Sequence, residues 1–294
     1  MVRVPENSSH QAHASSASDP EALRAIAEQL AAEAAELVRQ RRAEVIEGQA
    51  RDGAVSTKST ATDPVTIVDQ ESEELIRTRL ATLRPGDSIL GEEGGGAAST
   101  TGIRWVIDPI DGTVNFLYGI DAYAVSIAAQ LDGTSIAGAV ADVPGRRIYS
   151  AARGHGAWQH GPGGKPERLR CTTETNLGHA LVATGFGYDP ARRAEQGSIV
   201  AHLLPEVRDI RRIGSAAIDL CLLAAGRVDA YYEHGLHPWD WAAASLIAEE
   251  AGAVLVTPPA DSSGSDGIVT IGAAPGVAEA FQGLLGEAGA LRAL

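Results

Sequence analysis

The stretch Trp105-Val106-Ile107-Asp108-Pro109-Ile110-Asp111-Gly112-Thr113 constrains this chain more than any other part of it. An apolar strand runs directly into two carboxylates. Pro109 keeps Asp108 out of the helical region, and Gly112 permits a tight turn. With the Ile110 carbonyl between them, the two acids form a concave, all-oxygen surface. Hard cations such as Mg²⁺ prefer such a surface, whereas soft metals favour the His or Cys that is missing here. Thr113-Val114-Asn115 then reads as a helix start, whose free N–H groups can receive a phosphate. Taken alone, a D-x-x-D-G string is also a common solvated turn.

The rest of the chain must build a frame around that strand end. Helical spacing of Leu23, Ile26, Leu30, Ala34, Leu37 and Val38, between Pro20 and Gly48, predicts an amphipathic helix from 21 to about 47. Polar residues 51–62 read as a mobile loop. A short β-branched strand at 65–68 follows, with Asp69 as N-cap of a second helix; there Glu73, Glu74, Arg77 and Arg79 are expected in solvent and Leu75, Ile76, Leu80 and Leu83 inside. Ile89-Leu90 is a short strand leading into Gly91-Glu92-Glu93. Strands at 104–108, 122–131, 135–142 and 147–152 form a meander, with turns at Asp132-Gly133 and Pro144-Gly145.

Beyond Cys171 strands and helices alternate. Strands are expected at 181–184, 229–233, 254–256 and 268–271, and helices at 191–204, 214–225, 240–251 and 276–293. An antiparallel-rich half to about residue 170, followed by an alternating half, implies a layered α+β architecture with a site between the halves. The length of 294 residues fits one large domain or two tightly packed ones. Residues 1–20 read as a disordered tail without the apolar stretch of a signal peptide, and 21–294 as a single domain.

The net charge of −14 disfavours direct nucleic-acid binding. It also sets a puzzle for any anionic ligand, which bound divalent cations would resolve. Cys171 and Cys221 give no disulfide framework and read as free thiols in a reducing cytosol. No apolar run approaches the ~20 residues that span a bilayer.

The string from Trp105 to Phe116 resembles the first signature of the inositol monophosphatases, in the lithium-sensitive, Mg²⁺-dependent sugar-phosphatase superfamily. Trp239-Asp240-Trp241 through Gly252 is similar to the second signature. Asp63-Pro64-Val65-Thr66-Ile67-Val68-Asp69 and Gly91-Glu92-Glu93 resemble the two other metal-site segments, in the expected order. The resemblance runs from about residue 21 to 290, extends in its spacing to the bacterial SuhB-type branch, and implies an αβαβα sandwich of the sugar-phosphatase type.

For the matching positions the resemblance implies two to three Mg²⁺ per subunit. Glu92, Asp108 and the Ile110 carbonyl hold the first, Asp108, Asp111 and Asp240 the second, and Glu92 with waters a weaker third. Thr113 and Asp63 orient and deprotonate a metal-activated water that attacks phosphorus, and Lys58 lies near the phosphate. Asp111, Gly112, Thr113, Asp240, Gly214, Ser215, Ala216 and Glu233 contact the substrate, with the Ser215 hydroxyl and Glu233 meeting polyol hydroxyls. The implied reaction is hydrolysis of inositol 1-phosphate by a cytoplasmic homodimer inhibited by Li⁺.

Blander readings stand beside these. Lys58 is equally a solvated loop lysine, Asp240 alone would be a helix N-cap, and Asp69 reads as a cap. Arg211-Arg212 reads as a solvated helix entry in preference to an anion site. His234 and His237 form an H-x-x-H pair without a third zinc ligand. Histidinol phosphate, fructose 1,6-bisphosphate or 3′-phosphoadenosine 5′-phosphate are alternative substrates, and a regulatory binding protein using this fold is an alternative of another class.

Overall fold

The structure, a computed structural model, describes residues 18–45, 55–57, 64–95 and 101–294, with the backbone alone at 45, 55–57 and 64–66. Asp63, Lys58 and nearly all of the expected N-terminal tail lie outside the described residues.

Helix α1 (Pro20–Val45) is longer at its start than its periodicity suggested by only one residue. It buries a stripe of Leu23, Ala27, Leu30, Ala31, Ala34 and Val38. The alanines in this stripe let the helix lie close against a sheet. Strands β1 (Val55–Thr57) and β2 (Pro64–Thr66) pair antiparallel. Helix α2 (Ile67–Leu83) packs beside α1 through Val68, Ile76 and Leu80.

Glu73, expected in solvent, instead lies inside the fold. Glu73 is buried, accepts the Glu93 N–H at 2.8 Å and pairs with Arg77 at 2.7 Å. Gly91 leaves the room for that carboxyl, because a Cβ there would overlap it. Arg77 in turn donates to the Gly94 carbonyl. Glu73 thus braces the turn that carries Glu92, which explains why an acid is tolerated inside.

A seven-stranded sheet runs in chain order: β3 (Ser88–Gly91), β4 (Ile103–Asp111), β5 (Ala124–Leu131), β6 (Thr134–Asp142), β7 (Arg147–Ala152), β8 (Ala157–His160) and β9 (Glu167–Arg168). Only β3–β4 is parallel. Asp132 and Gly133, both with positive φ (49° and 79°), close β5 to β6 in the two-residue turn that matches strand twist. The last two strands, too short to leave a periodic signal, were not anticipated. After β4 comes the short helix α3 (Thr113–Tyr118).

A second sheet has the order β11-β10-β12-β14-β13. Its strands are β10 (Leu181–Thr184), β11 (Asp209–Arg211), β12 (Ala230–His234), β13 (Val254–Val256) and β14 (Val269–Ala273), and β10 lies parallel to both β11 and β12. The intervening helices are α4 (Pro190–Leu203), α5 (Ala216–Ala224), α6 (Pro238–Glu250) and α7 (Ala278–Glu287).

Three cores define the layers. Trp105, Ile107, Val125 and Ile127 face α1 and α2. Their alternates Val106, Ala124 and Ala128 face α5 and α6, whose other side meets Ala183 and Tyr231 of the second sheet. Val182, Ala230, Tyr232 and Ile271 point outward onto Ile199, Phe281 and Leu285 of α4 and α7. The order is helix, sheet, helix, sheet, helix, a layered α+β sandwich. Helix α6 is apolar nearly all round because it is the filling between two sheets.

Candidate active site

Asp108 and Asp111 stand where β4 loses its partner. Pairing with β5 is regular to Asp108↔Ser126, breaks, and resumes at Asp111↔Ala124. Pro109 has no N–H to give the ladder, so the irregularity falls beside it. Asp108 shares the strand face of Val106 and so is directed at the central helices. Gly112 takes φ 92°, and a Cβ there would lie 2.9 Å from the Ala122 carbonyl, which no other residue type avoids. Asn115 fixes the turn from behind, donating to the Ala122 carbonyl at 2.8 Å and the Ile213 carbonyl at 2.9 Å.

Asp111 is held by α5. Its Oδ2 accepts the Ser215 hydroxyl at 2.6 Å and the Ala217 N–H at 2.7 Å. The positive end of this helix therefore receives a carboxylate of the protein itself. Ser215 Oγ also accepts the Ile218 N–H at 3.2 Å as the helix cap. The expectation that this hydroxyl meets a polyol is not matched by its position: Ser215 is buried and does not line the cavity, while Gly214 and Ala216 do.

Asp240 is the third residue of α6 rather than its N-cap, which is His237. Its Oδ2 accepts the His237 N–H at 2.7 Å. The His237 ring stacks on Trp239 at 4.5 Å, and its Nδ1 accepts the Gly264 N–H at 3.2 Å. His234 points elsewhere, its Nε2 2.7 Å from the Ala290 carbonyl, so the two histidines do not converge.

These carboxylates oppose one another. Burial pushes the Asp108 carboxyl well above the usual range, and Glu92, Asp111, Asp240 and Asp69 raise it further. Asp240 is raised in the same way, by burial first and then by Asp111 and Glu92, against the pull of the His237 N–H. Asp111 is pushed up to about 6 because burial outweighs the Ser215 and Ala217 donors. Asp108 is 2% exposed, and its Oδ1 has no hydrogen-bond partner among the described residues. A buried carboxylate oxygen without a donor, among like charges, is the arrangement that a cation relieves.

The donor set is carboxylate with a nearby carbonyl, Ile110 O, which accepts the Thr113 hydroxyl at 3.0 Å. Mg²⁺ fits that chemistry. Among the described residues no three Asp, Glu, His or Cys side chains close on a single point, so the fit is one of donor type, burial and charge.

Glu92, Asp108, Asp111 and Asp240 line one cavity of about 960 Å³, together with Ile110, Gly112, Thr113 and Glu233. Glu233 Oε2 accepts the Tyr231 hydroxyl at 2.9 Å. Its carboxyl is pushed up to about 7 by burial, against the Tyr231 donor and the Arg212 charge. The described residues expected from sequence thus meet in one place, Ser215 just behind its wall.

Part of the cavity wall carries no signal in the sequence. Arg192, Arg193, Phe186 and Tyr188 line it, as does Arg212. Arg192 donates to the carbonyls of Leu294 (3.0 Å), Gly264 (3.0 Å) and Ser265 (3.3 Å), and Arg212 lies 5.9 Å from the Phe186 ring centre. Nothing local marks Arg192, because its partners are remote in the chain. Arg211, read together with Arg212, instead ends an unanticipated strand and pairs with Asp209 at 2.6 Å.

Known proteins share this fold and much of this sequence. The sequence profile of the inositol monophosphatase family matches residues 19–287. The chain is 58% identical over 271 residues to the inositol-1-monophosphatase SuhB of Mycobacterium tuberculosis, covering 89% of this chain and 92% of that protein. The solved structure of Mycobacterium tuberculosis SuhB superposes with a TM-score of 0.80 at 50% identity, over 94% of this chain and 100% of that one. The Nus factor SuhB of Vibrio cholerae is 40% identical over 202 residues, 68% of this chain and 74% of that protein. This chain belongs to the inositol monophosphatase family.

Proposed function

We propose that this protein is a Mg²⁺-dependent phosphoric monoester hydrolase that acts on inositol 1-phosphate. The observation that carries the reading is the unpartnered, buried Oδ1 of Asp108, set among carboxylates in the cavity that Glu233 also lines. The name of the Mycobacterium tuberculosis relative agrees with it.

Glu92, Asp108, Asp111, Asp240 and the Ile110 carbonyl would hold the cations. Bound there, Mg²⁺ neutralises the phosphate and acidifies water. The protein's own residues supply the rest. Gly112 and Thr113 face the cavity and offer donors to phosphate oxygens, while the Thr113 hydroxyl, spending its proton on the Ile110 carbonyl, keeps its oxygen free to accept from a water. Asp63 is assigned as that water's base, and Lys58 as a phosphate contact. Glu233, with one oxygen held by Tyr231, accepts hydroxyls of the alcohol. Gly214, Ala216 and Asp240 contact the same alcohol, and Ser215 acts through Asp111. The working enzyme is a cytoplasmic homodimer sensitive to Li⁺.

The test is phosphate release from inositol 1-phosphate, histidinol phosphate, fructose 1,6-bisphosphate and 3′-phosphoadenosine 5′-phosphate, with and without Mg²⁺. Inositol 1-phosphate is expected to have the highest kcat/KM, and hydrolysis without Mg²⁺ is expected to be negligible. One observation favours a second reading. The cavity is large, and Arg192, Arg193 and Arg212 line it, so an alcohol bearing another phosphate would find positive charge there. The highest kcat/KM on a bisphosphate would select that reading. Phosphate release from none of the esters would favour the regulatory binding role that the relatives named Nus factor bring to mind.

A further inference from the structure

Glu233 owes its place to a residue that has no side chain. Strands β10 and β12 run parallel, with Ala183 beside Tyr231 and Thr184 beside Tyr232. One residue further on, that register brings Gly185 beside Glu233. Residues paired across parallel strands project from the same face, so whatever stood at position 185 would compete with Glu233 for one volume. The competition is severe. A Cβ built on Gly185 would meet both carboxylate oxygens and the carboxyl carbon of Glu233, far inside the 3.0 Å that real Cβ atoms keep.

The carboxylate has little freedom to step aside. Its Oε2 is tied to the Tyr231 hydroxyl. The Asp219 carboxyl is entirely buried on α5 with neither oxygen hydrogen-bonded among the described residues, and burial first, then the Glu233 charge, pushes it well above the usual carboxylate range, so it offers Glu233 no alternative partner. Glu233 lines the cavity, and a carboxylate displaced into it would occupy the substrate's space. Gly185 itself is buried and does not line the cavity, so it touches no ligand. Its backbone is not in the left-handed region. Alanine therefore suits its conformation, and the effect of a methyl group there is purely spatial.

We propose that Gly185 is a specificity-determining position: by leaving the strand face beside Glu233 empty, it seats the carboxylate where it accepts the hydroxyls of the substrate's alcohol. This rests on the phosphatase reading above and adds to it a positioning residue outside the cavity. A larger residue at 185 would convert the polyol end of the site into one that no longer distinguishes alcohols by their hydroxyls.

The experiment compares inositol 1-phosphate with 4-nitrophenyl phosphate, whose alcohol carries no further hydroxyl, in wild type, Gly185→Ala, Glu233→Ala and the double variant. The ratio of kcat/KM for the two esters is expected to fall about tenfold in Gly185→Ala, mainly through KM for inositol 1-phosphate. Adding Gly185→Ala to Glu233→Ala is expected to change the ratio by less than about twofold, because the two residues act through one carboxylate. An unchanged ratio in the single variant, or an equal fall in both backgrounds, overturns the proposal. If Gly185→Ala does not fold, folding of the double variant identifies the clash with Glu233 and supports it; failure of both to fold assigns Gly185 to the backbone alone and overturns it. Failure of the phosphatase reading is separate, since wild type would then release phosphate from neither ester.

Discussion

Ser215 Oγ lies 2.6 Å from Asp111 Oδ2, and through this bond the start of α5 holds a carboxylate that lines the cavity. The same oxygen accepts the Ile218 N–H, so one hydroxyl closes the helix and aims the acid. Supporting bonds of this kind orient metal-ligating side chains, and their loss lowers metal affinity.

Ser215→Ala removes both bonds. Loss of the cap destabilises the fold by about 1 kcal/mol. The Mg²⁺ concentration for half-maximal activity is expected to rise about 10- to 100-fold, because Asp111 keeps only the Ala217 N–H. Thermal melts and a Mg²⁺ titration of activity check the two effects. An unaltered Mg²⁺ requirement would contradict the role given to this bond.

Stability without metal is expected to fall as pH rises. Glu233 moves from an ordinary 4.5 to about 7 on folding, and Asp111 from 3.8 to about 6. Folded-state values above the unfolded ones mean that the protonated forms are favoured in the fold. This contribution is complete below about pH 4 and disappears as pH rises through 6 and 7. Asp108 and Asp240 shift in the same direction. In chelator, Tm is therefore expected to be lower at pH 8 than at pH 5.5. The rise in Tm on adding Mg²⁺ is expected to be larger at pH 8, where no protons compete for the carboxylates. Equal Mg²⁺ increments at both pH values would contradict this.

Phe116 anchors α3, which begins at the cavity with Thr113. Its ring is fully buried and meets Tyr123 edge-on at 5.3 Å. Phe116→Ala is expected to cost about 3–5 kcal/mol, read as a lower urea midpoint with an unchanged slope. A loss under about 1 kcal/mol would show that the ring is not the anchor described.

The acidic wall of the cavity was legible because its chemistry is written in short strings. Asp108, Pro109, Asp111 and Gly112 form one turn, and the strand before them is apolar. Long helices such as α1 carry enough turns for their period to emerge. Much else depends on partners distant in sequence. Glu73 has the sequence spacing of a solvent-facing acid, and only the turn at Gly91 to Glu93 explains its burial. Asp240 looks like the N-cap until His237, three residues earlier, is seen to take that place and to donate its N–H to the Asp240 carboxylate. Arg192 binds three carbonyls, the nearest of them 72 residues away, and its entry into the cavity leaves no local trace. Gly185 shows its purpose only when β10 is laid beside β12.

The most direct test of the central claim is release of phosphate from inositol 1-phosphate by wild type and Asp108→Asn, each with and without Mg²⁺. The account predicts Mg²⁺-dependent turnover in wild type and a loss of at least about 10³-fold in the variant, which stays folded because the amide removes a buried charge of the same sign as its neighbours. Turnover by Asp108→Asn within about threefold of wild type, or wild-type activity indifferent to Mg²⁺, would contradict it.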